Sequence, residues 1–253
     1  MKTDKSFTLT FTFTPAEIAS TKTQVLAEIQ KNFSLKGFRP GKVPLDTVET
    51  NTDPAHLIEH ILTDLLNSTY PKKLTENKLH PIIDPKISIL NPPLALDKDW
   101  QIKVESCEIP EITINPDYQP QIKAAKTQDL NKILDILIKN CQVELPPILL
   151  ETELNRQLSK LVDQTQQAGL SLNDYLKSKN LNLDQYKDQA KIDIQNEWTI
   201  NLAISRISVD QKLAPTEVEI NQYLEKQPQF KTNPSLANYI VTQQKVIDFL
   251  KSL

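Results

Sequence analysis

Glycine limits this chain more than any other residue type. Its 253 residues include only 3 glycines, where average usage of about 7% would give roughly 18. They stand at Gly37, Gly41 and Gly169, so two of the three fall in one short stretch, while 17 prolines are spread along the chain. A dinucleotide fingerprint, G-x-G-x-x-G, and a phosphate loop, G-x-x-x-x-G-K-[ST], cannot be written with these positions. A G-x-S-x-G nucleophile elbow is excluded in the same way.

Hydrophobic periodicity divides the chain in two. In Ser6–Phe13, the residues Phe7, Leu9, Phe11 and Phe13 alternate with Ser and Thr, the pattern of a half-buried strand. Thr14-Pro15-Ala16-Glu17 then supplies an N-cap, a proline at the first helical position and a glutamate three residues after the cap, which predicts a helix from Pro15 to Asn32. Further helices are expected over 45–50 and 54–77. Short strands follow at Ile82-Ile83, 86–90 and 100–108, punctuated by Asn91-Pro92-Pro93 and by a turn around Asp97 and Asp99. Together they predict an α+β domain over residues 1–114 with a small antiparallel sheet.

Residues 115–129, with Pro116 and Pro120 among mixed polar residues, are expected as a linker. Residues 130–253 carry helical apolar spacing throughout and predict an extended all-α domain, with Gly169 ending one helix. Trp198, on the longest of these helices, is read as a core residue, the alternative being an exposed apolar contact surface.

The stretch with two glycines also carries a run of unopposed positive charge. Lys31, Lys36, Arg39 and Lys42 stand between residues 31 and 42 with no acid among them. Overall, 29 Lys and Arg face 32 Asp and Glu, a net charge of -3 that provides no global field for DNA or an anionic membrane. Gly37 and Gly41 can take positive φ, and Pro40-Gly41 suits the centre of a type II turn. Two readings of the tip are open. Phe38, Arg39 and Lys42 project together as a stacking and phosphate-binding surface, or the turn is merely solvated and Phe38 folds back onto the core.

Gly37-Phe38-Arg39-Pro40-Gly41-Lys42-Val43-Pro44 resembles the ribosome-docking signature of the trigger factor family, bacterial chaperones that meet nascent chains at the exit tunnel. The likeness continues to Ile114 and resumes in Val143-Glu144-Leu145-Pro146, in 169–176 and in the last helix, so it covers nearly the whole chain. It implies that Phe38, Arg39 and Lys42 dock on the large ribosomal subunit, on protein and rRNA, and that Gly37, Pro40, Gly41 and Pro44 shape the loop. It also implies that the helical domain holds nascent or unfolded polypeptides through weak apolar contacts, without ATP or any other cofactor, and so assists folding and export.

Family members usually carry an FK506-binding-type prolyl isomerase of roughly 100 residues between these two domains, too long for a linker of about 14. The expectation is a short form without catalytic residues. Two other readings stand beside it: a prolyl isomerase, as the family label suggests, and an RNA-binding or assembly factor.

Other candidates are weaker. His56 and His60 share a helical face, but no third metal ligand is signposted, and they are read as exposed histidines. Asp97 and Asp99 are read as turn residues. Cys107 and Cys141 lack C-x-x-C spacing and are read as reduced structural thiols. No apolar run suits a leader or membrane span, which predicts a cytoplasmic protein.

Overall fold

The computed structural model describes residues 5–253, which fall into two units, Ser6–Ile109 and Pro110–Leu253, the second also including Lys5. The leading residues Met1 to Asp4, part of the segment read as lacking a leader, lie outside the described residues.

The first unit contains β1 (Ser6–Phe13), α1 (Pro15–Asn32), α2 (Leu45–Thr50), α3 (Pro54–Asn77), β2 (Lys86–Ile89) and β3 (Trp100–Cys107). Strand β3 is the centre of an antiparallel sheet of order β1-β3-β2, with Leu9 opposite Val104 and Phe11 opposite Ile102. The alternation in β1 has its expected effect: Leu9, Phe11 and Phe13 are buried and the Ser and Thr residues are exposed.

Helix α1 opens with the capping box. Thr14 Oγ1 accepts from the Glu17 N–H at 3.4 Å, and the Glu17 carboxylate accepts from the Thr14 N–H at 2.8 Å. Ile18, Val25 and Leu26 of α1, Leu57, Ile61, Leu65 and Leu66 of α3, and Trp100, Ile102 and Val104 of β3 form one apolar cluster. The fully buried Trp100 indole donates to the Ala95 carbonyl at 2.8 Å, so its N–H is not stranded.

Ile82-Ile83, expected as a strand, is not one. Pro81 and Pro85 bracket it and interrupt any ladder. The segment is held instead by isolated bonds to the end of β3, from the Ile82 N–H to the Cys107 carbonyl at 3.0 Å and from the Ser106 hydroxyl to the Ile83 carbonyl at 3.1 Å.

The second unit contains β4 (Ile112–Ile114), α4 (Tyr118–Ala125), α5 (Leu130–Lys139), β5 (Cys141–Val143), α6 (Pro147–Gln167), α7 (Leu172–Ser178), α8 (Leu183–Asp210), α9 (Glu217–Lys226) and α10 (Pro234–Ser252). It is predominantly helical, as expected, with the short antiparallel ribbon β4–β5 added. The expected boundary at Ile114 and the linker over 115–129 do not match this structure. The division falls at Ile109/Pro110, and α4 occupies most of the supposed linker.

The physical reason is burial. Tyr118 and Ile122, one helical turn apart, enter a core with Ile133, Leu137, Ala203, Ile204, Ile207, Val246 and Leu250. Asn140, itself buried, fastens the same segment: its side-chain amide donates to Gln121 Oε1 at 2.9 Å and its carbonyl accepts from the Asn115 N–H at 2.8 Å.

Helix α8 packs against α5, α6, α7, α10 and the ribbon. Trp198 on this helix is half-buried and lies outside that core, contrary to expectation. Gly169, at φ +73°, ends α6 as expected. The Gly169 N–H reaches the Gln166 carbonyl at 2.9 Å and the Leu170 N–H reaches the Thr165 carbonyl at 2.9 Å, the paired bonds of a Schellman cap.

Helix α9 buries no residue completely and is fastened to α10 by Lys245 Nζ, 2.9 Å from Glu219 Oε1. That ammonium, with the N-cap bonds from Thr216, holds the Glu219 carboxyl down at about 2.

Candidate functional site

The loop from Phe33 to Pro44 leaves α1 and returns into α2 through two tandem turns. In the first, the Phe38 N–H donates to the Leu35 carbonyl at 3.0 Å, with Gly37 at φ +97° in the third position. In the second, the Lys42 N–H donates to the Arg39 carbonyl at 3.0 Å, with Pro40 and Gly41 (φ +74°) at the centre. Both fit type II geometry, which requires a residue free to adopt positive φ at that position.

The base of the loop is bonded more firmly than the tip. The Gly41 N–H reaches back to the Phe33 carbonyl at 3.3 Å, and the Gln30 amide donates to the Val43 carbonyl at 2.6 Å. Val43 is fully buried, and Phe33 and Leu35 pack against the core of the first unit. Pro44 is the N-cap of α2 and leads the chain back into helix. Gln30 and Val43 were not singled out in the sequence; a glutamine near a helix end carries no signal that its amide closes a loop 13 residues on.

Anchored in this way, the tip faces solvent. Phe38 is 43% exposed rather than folded back, and Arg39 and Lys42 are exposed beside it. Among the described residues, no ion pair engages Lys31, Lys36, Arg39 or Lys42. Three loop cations without acidic partners, with Lys31 at the end of α1 beside them, and a bare aromatic ring therefore share one loop with a bonded base. Chemically, it offers a planar ring for stacking or apolar contact, a guanidinium suited to bidentate phosphate or carboxylate, and mobile ammonium charges.

The two glycines differ in their tolerance. A Cβ on Gly41 would lie 3.2 Å from the Lys31 carbonyl oxygen, whereas one on Gly37 meets nothing within 4 Å. Left-handed backbone costs a non-glycine residue about 1–2 kcal/mol. Gly41→Ala is therefore expected to lower stability by about 1–3 kcal/mol, and Gly37→Ala by less. Urea denaturation midpoints of the two variants measure the difference.

The remaining candidates do not form a catalytic group. Asp97 and Asp99 are exposed in their turn. Cys107 is buried, and burial pushes the Cys141 thiol up to about 11, away from reactive thiolate. His56 and His60 do come together, with their Nε2 atoms 3.1 Å apart. Among the described residues, no group of three or more His, Cys, Asp or Glu side chains is placed to hold a metal ion, and no helix is long and apolar enough to cross a membrane.

Comparison with known proteins agrees with this architecture. The model for bacterial trigger factor protein matches residues 1–132, and the model for the bacterial trigger factor C-terminus matches 117–253. The trigger factor of Granulibacter bethesdensis is 34% identical over 98 residues, covering 39% of this chain and 21% of that protein. The trigger factor of Staphylococcus epidermidis is 26% identical over 138 residues, covering 50% of this chain and 32% of that protein. The chain thus spans roughly a fifth to a third of the length of these curated relatives.

A solved chain from work on promiscuous substrate recognition in folding and assembly activities of the trigger factor chaperone superposes with a TM-score of 0.66. That match covers 100% of this chain and 98% of the other at 11% identity. With family models matching from its first residue to its last, this chain belongs to the trigger factor family.

Proposed function

We propose that this protein is a ribosome-associated chaperone that docks through Phe38, Arg39 and Lys42 beside the nascent-chain exit of the large subunit and holds unfolded polypeptides without ATP. The observation that carries the docking reading is the solvent-facing tip on its bonded base. A phenylalanine left 43% exposed forgoes about 1 kcal/mol of burial that a partner surface can supply, and the neighbouring guanidinium and ammonium suit rRNA phosphates.

Holding is assigned to the helical unit. It leaves Leu170, Ile192, Val209, Val218, Leu236 and Tyr239 exposed. Scattered apolar contacts of this kind bind many sequences weakly, because each covers little area. Release then follows from weak affinity and from folding of the client, with no nucleotide step.

No prolyl isomerase activity is assigned. The two family matches overlap over residues 117–132, which leaves no internal stretch for the FK506-binding-type domain. A protease-coupled proline-peptide assay should show no rate above background, and a catalysed rate would reverse this assignment. For docking, a photoreactive phenylalanine analogue at position 38 should crosslink to a large-subunit protein when ribosomes are present. Equal labelling of small and large subunits would contradict the docking reading.

A further inference from the structure

Helix α3 presents a feature that chaperone activity does not require. His56 and His60 lie one turn apart on its exposed face, in its first two turns. Their rings meet edge to face with centroids 4.3 Å apart, and the two Nε2 atoms are 3.1 Å apart.

That separation has two possible uses. In the neutral pair, one Nε2–H can donate to the other Nε2. A divalent metal bound by imidazole nitrogen at about 2.0–2.1 Å, with ligand angles of about 90–109°, sets its two nitrogens roughly 2.8–3.4 Å apart. The observed spacing falls within this range. The backbone that sets it is firm: Asp53 caps the helix by accepting from the Ala55 N–H at 2.8 Å, and the intervening Leu57 and the following Ile61 are buried. Helical spacing alone favours plain exposed histidines, and this close nitrogen pair changes that reading.

We propose that His56 and His60 form a bidentate site for a borderline divalent cation, zinc or nickel, through their Nε2 atoms. No third His, Cys, Asp or Glu side chain among the described residues joins them, so water completes the coordination sphere. Two imidazoles without thiolate or a carboxylate cage favour these ions over magnesium or calcium, which prefer oxygen donors. Binding bridges two successive helical turns and therefore stabilises the start of α3. Both rings are exposed, so replacing either leaves the core of the first unit intact.

Isothermal titration of the tag-free full chain with zinc chloride, and separately with nickel chloride, tests the site. Wild type should bind one ion per chain. His56→Gln and His60→Gln should each weaken binding at least about tenfold, because one imidazole replaces a chelate. His80→Gln, which removes the other histidine, should leave binding unchanged, as should Cys141→Ser.

Thermal melts provide a second readout. Saturating zinc should raise the melting temperature of wild type and of His80→Gln but not of His60→Gln. Circular dichroism establishes that each variant is folded before titration. The proposal is overturned if wild type takes up no ion, if His60→Gln binds as tightly as wild type, or if binding is lost in Cys141→Ser instead.

Discussion

A fragment of residues 130–253 is expected to lose cooperative folding, whereas residues 110–253 should retain it. The shorter piece lacks β4 and α4, and with them Tyr118 and Ile122, which are 5% and 3% exposed in the helical core. It also removes Ile112 and Ile114, which pack at the edge of that core, and Gln121, the partner of the buried Asn140. Deleting one large buried apolar side chain typically costs 2–5 kcal/mol, and domains are stable by only about 5–15 kcal/mol.

Removing two such side chains and a strand therefore consumes most or all of the margin. Urea unfolding followed by circular dichroism should give a sigmoidal transition for 110–253 and a broad, nearly featureless one for 130–253. The longer fragment should also slow aggregation of an unfolded client, since the exposed apolar residues of the helical unit remain in place. Equal urea midpoints for the two fragments would mean that α4 is an appendage rather than part of the core.

The same region shows where sequence pattern loses information. Strand β1 was legible because eight residues alternate without interruption, and α1 because its cap, proline and glutamate occur in fixed order. Helix α4 offers only two buried positions over two turns, next to Pro116 and with Pro120 inside, and this pattern resembles a linker. What decides its structure is a core assembled from α5, α8 and α10, whose residues reach as far along the chain as Leu250. Ribbon β4–β5 is similar: three residues per strand carry no readable period, and Ile112 finds Val143 only through the fold. At Ile82-Ile83 the error ran the other way, because β-branched residues predicted a strand that the flanking prolines prevent.

The candidate site was easier to read than the linker because its geometry depends on local chemistry. Gly37 and Gly41 need positive φ, Pro40 fixes the corner of the second turn, and the four cations fall within residues 31–42 with no acid among them. The brace beneath, with Gln30 on the Val43 carbonyl and Val43 in the core, depends on packing and became visible only in the structure.

Loss of Phe38, Arg39 and Lys42 together is expected to have a large effect on ribosome association. Covering the exposed part of the ring is worth about 1 kcal/mol, and a charge-assisted hydrogen bond about 1.5–3 kcal/mol. Even half of the combined sum corresponds to a loss of about tenfold or more in affinity. All three side chains are exposed and take no part in the buried cluster, so folding should be unaffected. The cationic share should also make association weaken with salt, less steeply once Arg39 and Lys42 are gone.

Co-sedimentation with purified large ribosomal subunits compares wild type with the Phe38→Ala, Arg39→Ala, Lys42→Ala triple variant most directly. The docking account expects wild type in the pellet and the folded triple variant in the supernatant at the same salt. A triple variant that pelleted as well as wild type would contradict it.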